Sequence, residues 1–250
     1  RMIRSEKYNG LDLAMLHALI DAAAWLRPQR ELRAVILSGE GPAFSTGLDV
    51  ASVTKAPAKM FAAFIPWGKS DNVFQRACWA WRKIPVPVIA VLHGHCYGGA
   101  LQIALAADFR FSTPDCKLSI MEIKWGLVPD MTGTLTLREL MPMDVAKKLA
   151  MTGEVLTAEQ GQAYQLVTEI HEDPMAHALA FCQQLKEKSP DALGTIKVLF
   201  QNNWHATPKR ALARERLAQL RILLNGNQRR AAKAAMKKEA ATYQPRKLPF

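Results

Sequence analysis

Apolar residues recur at helical spacing through residues 11–26, at Leu13, Leu16, Leu19, Ile20 and Ala23, and predict an amphipathic helix. Residues 32–37 form a short run with branched side chains, closed by Ser38-Gly39-Glu40-Gly41-Pro42, which predicts a buried strand. Residues 49–68 mix Ala, Met and Phe and predict a mobile helical segment. A helix carrying Trp79 and Trp81 follows over residues 71–83, and Pro85-Val86-Pro87 stops it and launches a strand at Val88–Leu92. His93-Gly94-His95-Cys96-Tyr97-Gly98-Gly99 comes next, then an apolar helix over residues 100–107. Short strands are expected at 108–111 and Lys117–Ser119, then a loop centred on Trp125-Gly126-Leu127-Val128-Pro129-Asp130. From Gly133 onward nearly every segment has helical periodicity. Strands alternating with helices, then helices alone, give an α/β core with a helical C-terminal extension. We divide the chain into a core, residues 1–190, and a helical, basic extension, residues 191–250.

Composition excludes several classes. The chain has 250 residues, 49% of them hydrophobic, enough for a sizeable core. No apolar run is long enough for a membrane span, and no signal peptide is visible, although the chain opens on Arg1. Cys78, Cys96, Cys116 and Cys182 have no close-paired spacing, which argues against a zinc site and a disulfide scaffold and fits a reducing cytoplasm. The net charge of +11 asks for an anionic partner, but its location matters more than its size. Residues 209–250 hold twelve Lys or Arg against two acids, a net of +10, so the body is nearly neutral. With no aromatic-basic platform or recognition motif, nucleic acid is not an expected partner.

Two strand-to-loop transitions carry candidate chemistry. One is Ala43-Phe44-Ser45-Thr46-Gly47-Leu48-Asp49, after the first buried strand; the other is Gly94-His95-Cys96-Tyr97-Gly98-Gly99, at the start of a helix. A helix N-terminus offers unpaired N–H groups and positive partial charge. Loops from adjacent strand ends can therefore aim one N–H each at a developing oxyanion, with glycine allowing close approach. Plain turns are the competing reading. Neither a dinucleotide fingerprint nor a serine-hydrolase elbow fits.

In order and spacing, the first loop, Pro87-Val88-Ile89-Ala90-Val91-Leu92-His93-Gly94, Gly98-Gly99-Ala100 and Trp125-Gly126-Leu127-Val128-Pro129-Asp130 resemble the crotonase superfamily, the enoyl-CoA hydratase/isomerase family. Glu6-Lys7-Tyr8-Asn9-Gly10-Leu11 is similar to its N-terminal signature, and residues 152–161 to its post-core helix. The family's opening strands are expected to lie largely ahead of Arg1. The resemblance implies a crotonase-like spiral of ββα units binding an acyl-CoA. The thioester oxygen would lie in an oxyanion hole formed by the N–H groups of Thr46 and Gly99. Ser45, Gly47, Leu48, Asp49, Gly98 and Gln102 would contact substrate. No separate cofactor or metal is implied, since coenzyme A enters as part of the substrate. A homotrimer or dimer of trimers is implied as well, with no membrane partner.

The carboxylates bear on the reaction. Family hydratases place two glutamates around one water; the first of those positions is Gln102 here, and the second is Glu122. An amide binds water but is a poor general base. Glu122 followed by Asp130 resembles the dienoyl-CoA isomerases of the family, which usually carry a third acid where Gln102 stands. The expectation is therefore double-bond isomerisation of an enoyl- or dienoyl-CoA, with Glu122 as base and Asp130 as second acid/base. A hydratase using Gln102 to position water and a non-catalytic CoA-binding paralogue are the alternatives. Asp130 is equally readable as a helix cap. His93 and His95 are expected to pack structurally, Trp79, Trp81 and Trp125 to be core or pocket wall, and Cys96 not to be a nucleophile. Met60, Phe61, Phe64 and Trp67 suit an acyl tail, and Lys237 and Lys238 are candidates for the phosphates of coenzyme A.

Overall fold

The computed structural model describes residues 1–248. After a 3-10 turn at Ser5–Lys7, α1 spans Leu13–Leu26 and starts where the Asp12 carboxylate accepts from Met15 N at 2.8 Å. β1 (Val35–Ser38) leads through α2 (Val50–Thr54), α3 (Pro57–Phe64) and α4 (Val73–Arg82) to β2 (Val88–Leu92). A reciprocal Asn72–Gln75 capping box begins α4. Next come β3 (His95–Tyr97), α5 (Gly99–Leu105), β4 (Phe109–Ser112) and β5 (Lys117–Ser119). A 3-10 turn at Glu122–Trp125 precedes α6 (Gly133–Leu137), α7 (Met143–Thr152), α8 (Ala158–Ala163) and β6 (Glu169–Ile170). Four helices close the chain: α9 (Pro174–Lys186), α10 (Pro190–Asn203), α11 (Pro208–Leu223) and α12 (Gly226–Lys237).

β1, β2, β4 and β6 form one parallel sheet in that order, and β3 pairs in parallel with β5 in a second. A parallel bridge from Ser45 to Cys96 adds the first loop to the second sheet. β1, β2 and β4 thus each send their continuation into the smaller sheet before helices return the chain, a repeated strand–strand–helix winding, whereas β6 leads directly into α9. That winding sets residues 45–49 beside 96–99, and so makes the site.

All five residues of β2 are buried, as a central parallel strand requires. Val88, Ala90 and Leu92 face the main core with α1, α4 and α5, whereas Ile89 and Val91 join Phe111 and Ala178 beneath α9. The first strand starts later than expected because Pro87 has no N–H to donate, so the ladder begins at Val35↔Val88. β3 and β6 were not expected: three residues and two carry too little periodicity to separate from a turn. Residues 49–68 hold two short helices instead of one segment. On the extension, the Lys197 ammonium is buried 2.7 Å from Asp108 and donates to Val86 O at 3.0 Å, joining α10 to the base of β2. No helix among the described residues is long and apolar enough to cross a membrane.

Candidate active site

The two loops and the carboxylates meet at one cavity of ≈ 380 Å³, within the range of small-molecule sites. Thr46, Gly47, Leu48, Gly98, Gly99, Glu122 and Asp130 all line it. Its apolar wall comes from Val50, Phe64, Phe74, Met121, Trp125, Leu127, Val128 and Met131. A larger cavity of ≈ 600 Å³ near α10 and α11 is lined by five arginines and Glu139, but Glu139 is paired with Arg82 and neither glycine loop reaches it.

Backbone bonding decides which N–H groups are available. Thr46 N donates to Tyr8 O at 3.1 Å and Gly47 N to Ser45 Oγ at 3.2 Å. Gly98 N donates to Ser119 O at 2.9 Å. The next donors along each loop, Leu48 N and Gly99 N, have no acceptor among the described residues. Thr46 is therefore replaced by Leu48 as the first loop's open donor. Gly99 is the first residue of α5, so its N–H also carries the positive end of that helix.

Glycine is required at two of these positions. Gly98 has φ +53° and ψ −125°, and a Cβ there would point at the Glu122 carboxylate, 3.6 Å from Oε1. A Cβ on Gly47 (φ +84°) would lie 2.6 Å from Tyr97 O, so the two loops approach only because it is absent.

Glu122 begins its 3-10 turn with a buried side chain. Gln102 sits behind it, also buried: its Oε1 accepts from Gly133 N at 2.8 Å and its Nε2 donates to Glu122 Oε1 at 2.5 Å. Glu122 Oε2 is buried without a partner among the described residues. Burial raises the Glu122 carboxyl above its ordinary range, opposed by hydrogen bonds to its own backbone and to Gln102, while the nearby Asp130 adds to the rise. Burial raises Asp130 as well. Asp130 makes no cap bond among the described residues; Thr132, not Asp130, precedes α6, so the helix-cap reading does not hold.

The sequence of the chain matches the enoyl-CoA hydratase/isomerase family over residues 1–243. The chain belongs to that family. A carnitinyl-CoA dehydratase of Salmonella typhi is 30% identical over 200 residues, 78% of this chain and 73% of that protein. An enoyl-CoA hydratase from Polaromonas sp. JS666 superposes with a TM-score of 0.87 at 27% identity, over 96% of this chain and 93% of its own. The Bacillus anthracis enoyl-CoA hydratase, at 22% identity, shares the fold, with a TM-score of 0.87 over 97% and 95%. The crotonase-like α/β winding expected from the motifs is the fold of this family member.

Besides Gln102, which lies behind Glu122 and does not line the cavity, two more residues expected at substrate are spent on structure instead. Ser45 is fully buried; its Oγ donates to Asn9 O at 2.7 Å. Asp49 pairs with Arg4 at 2.9 Å and accepts from the Ser52 hydroxyl at 2.7 Å, bonds that lower its carboxyl and start α2. Of the suggested tail contacts only Phe64 lines the cavity; Met60 is in the core, and Phe61 and Trp67 are exposed. His93 Nε2 bonds Gly41 O, and His95 Nδ1 bonds the Tyr97 hydroxyl. Cys96 is fully buried, and burial pushes its thiol far up. Trp81 is core and Trp125 is cavity wall, whereas Trp79 lies under Arg82. Lys237 and Lys238 do not line the cavity. The open Leu48 donor could not be found from sequence, because it depends on which neighbouring amides are already taken.

Proposed function

We propose that this family member moves the double bond of an enoyl- or dienoyl-CoA thioester through an enolate. The observation that carries the reading is the locked Gln102. Its amide is used on both sides, by Gly133 and by Glu122, and offers no second carboxylate to activate water. Glu122 Oε2, buried and without a partner, takes the proton from the carbon α to the thioester carbonyl. The thioester oxygen gains the negative charge and accepts from Leu48 N and Gly99 N, which need no reorganisation as that charge grows. The carboxyl of Asp130 or Glu122 returns a proton further along the conjugated chain. Buried carboxyls with raised pKa suit a group that must both take and give a proton. The acyl chain lies along Phe64, Phe74 and Met131, and coenzyme A is substrate, not cofactor.

Hydration or dehydration is the second reading, favoured by the likeness to carnitinyl-CoA dehydratase. Glu122 would then be the base for a water or hydroxyl that Gln102 helps to position.

Incubation with 3-enoyl-, 3,5-dienoyl- and 2-enoyl-CoA, followed by absorbance and mass, separates the two. Conjugation of the first two without a water adduct of the third is expected. Water addition at a comparable rate would favour the second reading. Glu122→Gln is expected to lower kcat by about 10²–10⁴-fold while CoA-ester binding stays within a few-fold.

A further inference from the structure

A separate cluster of ligand-type side chains lies on the opposite side of the main sheet from the cavity's core. Glu169 and His171 are two apart along β6 and its extension, so both leave the same side of the strand. His177 comes from the first turn of α9. His171 Nε2 is 2.9 Å and His177 Nε2 3.1 Å from the same atom, Glu169 Oε2. The two imidazoles stack at 3.6 Å between centroids and 17° between planes, and Phe111 meets both rings edge-on. His171 N donates to Ser112 O at 2.9 Å, which fixes its backbone against β4.

Three donor atoms on one tetrahedral ion at ~2.0–2.1 Å would be roughly 3.3 Å apart. The two N···O separations are close to that, and the three ligand atoms all lie within 4.8 Å of one another. The local charge agrees. No Lys or Arg occurs between Lys148 and Lys186, whereas Glu172 and Asp173 adjoin the cluster, in a chain whose net charge is +11. All three side chains are partly exposed, which leaves solvent access to a further coordination position.

We propose that Glu169, His171 and His177 bind a zinc-class divalent transition-metal ion, with two imidazoles, one carboxylate and water as its ligands. The ion would clip the edge strand β6 to α9. His₂-carboxylate sets suit ions of this borderline hardness, and pinning a two-residue strand to a helix is structural work independent of the acyl-CoA chemistry. The spacing Glu-x-His-x₅-His gave no signal by itself, because it becomes a ligand set only when β6 and α9 are adjacent.

The test uses untagged protein, stripped with EDTA, dialysed, and titrated with zinc chloride in a calorimeter near neutral pH. One ion per chain is expected. His177→Ala and Glu169→Gln should each weaken binding at least about tenfold, and zinc should raise the melting temperature of the unsubstituted chain but not of the variants. No heat and no thermal shift would overturn the site, leaving a proton-mediated clasp in which both Nε2–H groups donate to Glu169. Uptake that both variants leave unchanged would overturn it too. Should the variants fail to fold by circular dichroism, the ¹⁵N shifts of His171 and His177 Nε2 in the unsubstituted chain decide. Movement of both on zinc addition supports the site, and unmoved resonances reject it.

Discussion

Gln102 donates through Nε2 to Glu122 Oε1 at 2.5 Å while its own Oε1 accepts from Gly133 N at 2.8 Å. Each amide atom thus has a fixed partner, and the side chain cannot flip without losing both. Glu122 is held through one oxygen and left open at the other. Under the proposed reading, Gln102 is a positioning residue that aims Glu122.

That bond also bears on the pH at which Glu122, as the proposed base, is ionised. Hydrogen bonding from Gln102 favours the ionised carboxylate and opposes the upward push of burial. Gln102→Leu removes the donor, so the Glu122 pKa should rise further. Since the base must be ionised, activity falls as pH drops through that pKa, and the acid limb of kcat should move to higher pH in the variant. An unmoved limb would mean that another group sets the profile.

Gln102→Glu tests the reaction itself. It places a second carboxylate against Glu122 Oε1, and two acids so close must share a proton. The pair would resemble the two-glutamate arrangement implied for hydratases. A gain of water addition to 2-enoyl-CoA is expected, read as the mass of the product. Unchanged products would show that the residue at 102 does not select between isomerisation and hydration.

Glu122 should cost the fold stability when ionised. Its folded pKa lies above the unfolded one, so the native state binds more protons across that interval, and stability falls as pH rises through it. Glu122→Gln carries no charge to bury and keeps most of the shape. The variant should therefore be inactive yet melt no lower than the original chain above the interval, as scanning calorimetry across pH would show.

The sequence conveyed the winding better than the contacts. Val88–Leu92 was legible because Pro85 and Pro87 punctuate it and every residue is apolar. The places of Glu122 and Gln102 were legible in the motif spacing: Glu122 lines the cavity and Gln102 lies directly behind it. The donors were harder to assign. Nothing local distinguishes Thr46 from Leu48; the choice depends on Tyr8 O reaching Thr46 N from far along the chain. Asp49 was similarly opaque, since its partner Arg4 lies 45 positions earlier. Long-range pairing of this kind leaves no periodicity to read.

Lys197 is a stability test outside the site. Its ammonium is 5% exposed and paired with Asp108, whose Oδ2 also accepts from Val88 N at 2.8 Å at the start of β2. Removing one member of a buried pair leaves the other uncompensated. Lys197→Ala should cost about 3 kcal/mol, the low end for such pairs because Asp108 keeps some contact with solvent. Urea unfolding should show a lower midpoint with an unchanged slope, and a loss below measurement would mean that the pair contributes little.

The extension makes the last prediction. α11 has no buried residue, and Leu217, Leu220 and Leu224 lie at spacings of three and four, all exposed, with Leu212 and Leu223 close by. Exposed leucines at that spacing form an apolar stripe, and such stripes mark surfaces that another chain covers. The basic residues of α11, Lys209, Arg210, Arg214, Arg216 and Arg221, would have to turn away from a like-charged neighbour, which favours contact through the leucines over contact through the charges. We expect self-association through this stripe; three copies per assembly, or a multiple of three, is what the family resemblance implies. Light scattering behind a sizing column should give about three or six times the chain mass of 27.8 kDa. Leu220→Glu with Leu224→Glu should move it toward one copy, because the new carboxylates would be buried against apolar surface or leave the interface unmade. A single-chain mass for the unsubstituted protein would mean that the stripe has some other cover.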